Sequence, residues 1–109
     1  MASRREDFDD LVLEAAGRLD SALGNRYAAT EFAIEEVPPS DPAPWEERRV
    51  LLGRLFPPQG KAPARIVLYR RPIEARAGDR VEQAELIRDV LREHVAALLG
   101  VSPDDLPDP

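Results

Sequence analysis

The sequence has no cysteine, one histidine and one lysine among 109 residues. Without cysteine there is no disulfide framework, thiolate metal site, iron-sulfur cluster or cysteine nucleophile, and compartment cannot be read from cysteine pairing. A single histidine excludes chemistry that needs two imidazoles from one chain. The six glycines are scattered singly, so no glycine-rich phosphate loop exists. No run approaches the roughly 18 apolar residues of a membrane span, and the start, MASRREDFDD, turns acidic where a signal peptide turns apolar. A cytoplasmic protein that meets no membrane is expected.

What is present is charge, proline and helical periodicity. The net charge of -6 argues against nucleic-acid partners, whose phosphates call for clustered Lys and Arg. From Arg65 to Arg80 the balance reverses locally, which reads as an arginine-rich solvated edge. Fourteen arginines against one lysine, with abundant alanine, read as a coding bias of a bacterial type of source. The length fits one domain over 1–109.

Ser3 and Glu6 fit a capping box, and Phe8, Leu11, Val12, Ala15, Leu19, Ala22 and Leu23 follow at helical spacing, which predicts a helix over 4–23. From Thr30 the period is two, with Phe32 and Ile34 on one face. Glu36 and Val37 break that alternation, as a bulge or a strand end. Residues 38–47 form a proline-rich loop around Trp45. A second strand over Val50 to Phe56 is expected to be interrupted at Gly53, and a turn over Gln59 to Pro63 follows. The continuous run Ile66-Val67-Leu68-Tyr69 predicts a strand covered on both faces, hence central, stopped by Pro72. Asp79 and Glu82 cap a second long helix, whose stripe of Val81, Ala84, Ile87, Val90, Leu91, His94, Val95 and Leu98 runs to Gly100. Ser102, Pro103 and Asp105 start a short turn in an acidic C-terminal segment, 101–109. The order helix-strand-strand-strand-helix gives an α+β fold, a sheet of three or slightly more strands with two long helices on one side.

Several segments, in this order, resemble one family. The opening REDFDDLVLEAAGRLDSAL, then EEVPP, LLG, RIVLYRRP, and the tail REHVAALLGVSPDDL are similar to the small zincin-like metallopeptidases, the minimal zinc metallopeptidase-like group. The resemblance implies a zincin-like domain. It also implies a helix carrying HExxHxxG, in which two histidines one turn apart hold zinc and the glutamate activates a metal-bound water. Registered on Gly100, Glu93 stands at the first histidine, His94 at the glutamate, Ala97 at the second histidine and Pro103 at the third-ligand position. Ala97 and Pro103 offer no side-chain donor, so the motif is degenerate and no metal or cofactor is expected.

Adjacent helical residues point about 100° apart, so Glu93 and His94 cannot share an ion as an i, i+4 pair does. His94 reads first as a packed, hydrogen-bonded residue. None of the four serines lies in a nucleophile elbow, and the paired carboxylates sit at helix starts or polar faces. The expected function is that of a metal-free, inactive zincin homologue, a pseudoenzyme that holds a peptide or protein partner by strand addition. Trp45, Tyr69, Arg70 and Arg71 are candidate contacts. Trp45 alternatively pins its loop, and Tyr69 caps the core with its hydroxyl in water. The competing expectation is a zinc-dependent peptidase with a non-standard site that includes His94. A homodimer through paired sheet edges stays open.

Overall fold

The computed structural model describes residues 3–23, 30–39 and 51–106. Helix α1 spans Arg4–Leu23, and its first turn is capped as the sequence implied: the Glu6 N–H donates to Ser3 Oγ at 3.1 Å. Its buried residues Phe8, Leu11, Val12, Ala15, Leu19 and Leu23 recur every three or four positions and form one stripe.

Three strands follow: β1 (Thr30–Glu35), β2 (Gly53–Phe56) and β3 (Ala64–Tyr69). The sheet order is β1-β3-β2. β3 is therefore central, parallel to β1 and antiparallel to β2, with Ile66 opposite both Phe32 and Leu55. Alternation sends Phe32, Ile34, Leu55, Ile66 and Leu68 to one core shared with the helices. Val67 and Tyr69 point to the other face and are also buried, each 1% exposed, which is why the run is continuously apolar. β2 and β3 are joined by a tight turn in which Gln59 and Ala62 exchange backbone hydrogen bonds and Gly60 takes a φ of 56°.

Three sequence expectations need correction. β2 begins at Gly53 instead of being interrupted there; Leu51 and Leu52 lie before it, and Val50 falls outside the described residues. Pro72 does not end the ordered segment either. Tyr69, the last residue of β3, is at once the N-cap of a short helix α2, Arg70–Arg76, in which Pro72 occupies the first turn. A proline is tolerated there because the N–H it lacks would have no intrahelical partner. Val81, placed in the second helical stripe by spacing, is 68% exposed.

That second long helix, α3, spans Arg80–Leu99 and buries Ile87, Val90, Leu91, Val95 and Ala96. Asp79 Oδ1 accepts from the Glu82 N–H at 2.8 Å, and Glu82 reaches back to the Gly78 N–H at 3.1 Å. Gly100, at φ 71°, ends it in a Schellman arrangement: Gly100 N–H donates to Ala97 O at 3.3 Å and Val101 N–H to Ala96 O at 3.0 Å. A 3-10 turn, Pro103–Asp105, follows, as the Ser-Pro-Asp spacing implied. Most of the expected proline-rich loop, including Trp45, lies outside the described residues.

Candidate functional site

α3 is pressed directly against the start of β2. A Cβ built onto Gly53 would stand 2.9 Å from Val67 O, 3.0 Å from Val90 Cγ1 and 3.3 Å from His94 Cε1. Only a residue without a side chain lets helix and strand approach this closely. His94 therefore lies against the beginning of an edge strand.

The half-buried His94 ring is held by its own helix. Nδ1 is 2.7 Å from Val90 O, and a carbonyl only accepts, so Nδ1 carries the proton and donates. In the neutral ring the lone pair then belongs to Nε2. Glu93 and Ala97 lie one turn apart on a single helical face, and both are exposed. Further on, Arg92 ties the segment after the helix to α3, donating to Pro103 O at 3.0 Å, while Leu106 is buried in the core.

These residues do not fit a zinc ion. The face that carries Glu93 offers one carboxylate and, at Ala97, a methyl group; Pro103 contributes a carbonyl already engaged by Arg92. Among the described residues, no three His, Asp or Glu side chains come close enough to share a metal ion.

β2 presents a free edge beside this face. Leu52 O accepts from the Tyr69 N–H at 3.0 Å, which makes residues 52 and 69 a hydrogen-bonded pair. Antiparallel pairs alternate, so Arg54 and Phe56 also turn their backbone groups toward β3, while Gly53 and Leu55 turn theirs outward.

The peptide contacts expected from sequence lie elsewhere. Tyr69 is 1% exposed and offers no surface to a ligand. The Arg70 side chain is 12% exposed and forks between Glu36 and Glu74. Arg71 is 70% exposed, with Nε 3.4 Å from Glu36 Oε2, and Arg5 reaches the same carboxylate at 2.9 Å. The guanidinium of Arg70, then that of Arg5, hold the Glu36 carboxyl well below its ordinary value, at about 2, against a smaller opposing effect of burial. Glu36 and Glu74 raise the Arg70 pKa in return. Together with the bond from the Arg71 N–H to Glu36 O at 3.0 Å, the network ties α1, the end of β1 and α2 together. Of the four expected contacts only Arg71 is a described, exposed side chain. Gly53, which brings strand and helix together, was missed as a site residue; its place inside an apolar strand was the available signal.

The mixed three-stranded sheet, the two long helices and a capped helix running into Gly100 define an α+β domain of zincin type. The family model described as zincin-like metallopeptidase matches residues 28–108, well over half the chain, and the chain belongs to that family. A search of curated proteins found no match. Among the described residues, no helix is long and apolar enough to cross a membrane.

Proposed function

We propose that this zincin-like chain does not act as a zinc peptidase and instead holds an extended peptide or protein segment along the edge of β2. The observation that carries this reading is the exposed face of α3, where Glu93 and Ala97 stand at the positions that the family resemblance gives to the two histidines. One carboxylate and one methyl group cannot bind zinc tetrahedrally or lower the pKa of a bound water. What the fold keeps is an edge strand whose outward N–H and C=O groups, at Gly53 and Leu55, suit main-chain pairing.

The test is zinc content, measured on protein purified without chelator, combined with thermal unfolding with and without EDTA. Substoichiometric zinc and an unchanged Tm are expected, because an ion that binds only the folded state would raise Tm by mass action. Stoichiometric zinc that disappears in His94→Ala, together with chelator-sensitive peptide hydrolysis, would overturn the proposal in favour of a non-standard zinc peptidase that uses His94.

A further inference from the structure

The β2–β3 hairpin differs in charge from the rest of the molecule. Between Leu51 and Tyr69 the sequence carries Arg54, Lys61 and Arg65 and no aspartate or glutamate, although the whole chain has a net charge of -6. Because Gly53 faces α3, alternation puts Arg54 and Phe56 on the opposite face, and Arg65, paired with Phe56, shares it. The Arg54 guanidinium carbon lies 6.0 Å from the centroid of the Phe56 ring, which is itself 43% exposed. Neither Arg54 nor Arg65 has an ion pair with an acidic residue among the described residues. Glu31 sits opposite Arg65 on β1, the far side of the sheet from the β2 edge.

The same residues weigh against a second copy as the occupant. A twofold antiparallel pairing that uses the outward groups of Gly53 and Leu55 sets Arg54 directly opposite Arg54 of the other copy, and like charges there are destabilising. Sliding the register to centre on Leu55 brings Gly53 opposite Pro57, which has no N–H to give.

We infer that the β2 edge selects acidic extended segments, with an Asp or Glu placed beside Arg54 on the outer face and main-chain hydrogen bonds to Gly53 and Leu55. This rests on the edge-strand reading above and adds to it the chemistry of the partner. Alternation in the bound strand presents every second side chain to the arginine face, so the preferred sequence carries acidic residues at alternate positions.

The experiment uses the full chain and three fluorescein-labelled eight-residue probes, read by fluorescence anisotropy: alternating Val and Glu, alternating Val and Lys, and the Glu probe with alternate backbone amides N-methylated. The Glu probe is expected to bind about tenfold more tightly than the Lys probe. Arg54→Glu, with folding checked by far-ultraviolet circular dichroism, should remove or reverse that preference; Arg65→Glu serves if Arg54→Glu does not fold. N-methylation should abolish binding. Equal binding of Glu and Lys probes, or a preference unchanged in the folded charge-reversal variant, would overturn the acidic selectivity and leave edge binding standing. Undiminished binding of the N-methylated probe, or no binding of any probe, would overturn edge binding itself. Displacement of the Glu probe by a single-stranded oligonucleotide, without N-methyl sensitivity, would assign the basic face to nucleic acid and overturn the inference.

Discussion

At Gly53 a single hydrogen atom separates the edge strand from the face of α3 that bears Val90 and His94. Gly53→Ala puts a methyl group within 2.9 Å of a backbone oxygen that cannot swing aside, so strand or helix must shift. Overpacking of this kind costs about 1–3 kcal/mol, and a lowered urea midpoint with an unchanged m-value is the expected readout. Glu36 gives a second residue-level prediction, one of pH dependence. Its folded-state pKa of about 2 lies below the ordinary 4.5, so the carboxylate contributes stability above pH 4.5 and loses it as pH falls toward 2. Glu36→Gln should therefore be less stable than wild type near neutral pH, with the gap closing through this window; urea midpoints measured from pH 6 to pH 2 check it. The sequence made the motif positions readable, because Gly100 supplied a register for Glu93, His94 and Ala97. It did not reveal that Tyr69 and Arg70 are structural. The carboxylate that engages Arg70 lies 34 residues away, and no local pattern reports such a partner.

Among the elements, the long helices were readable because each combines a cap, an apolar stripe and a stop within a short stretch of chain. α3 shows how much rests on the stop. Gly100 at φ 71° turns the chain so that Leu106 reaches the core, with Arg92 holding the segment between. Gly100→Ala should cost about 1–2 kcal/mol, and Gly100→Asn less, because a side chain in the left-handed region meets the following carbonyl unless it is short and polar. Thermal unfolding of both variants gives the ranking. The short helix α2 was not legible. Pro72 within RRPIE reads as a strand stopper, and the feature that favours a helix, acceptance of the Arg71 N–H by Glu36 O, comes from another part of the chain. The start of β2 was misplaced for a related reason: an apolar run shows that a strand is near, but pairing with β3 decides which residues belong to it.

Across the whole molecule, composition and periodicity gave the α+β class and the central position of β3, whereas the connection of the two edge strands had to be seen. β2 and β3 are neighbours in sequence and close through a two-residue turn. β1 pairs with β3 in parallel, and every register pair, from Thr30 with Ala64 to Glu35 with Tyr69, joins residues equally far apart along the chain. Closing that long loop costs entropy before any contact repays it. The mixed sheet therefore implies an order of assembly: the hairpin forms early with α3 behind it, and β1 docks last, when the Glu36 carboxylate meets Arg70. Stopped-flow measurements should show Ile34→Val mainly accelerating unfolding, with a φ-value near 0, and Val67→Ala mainly slowing folding. In kinetic terms, the edge of the sheet that closes last is also the first to let go.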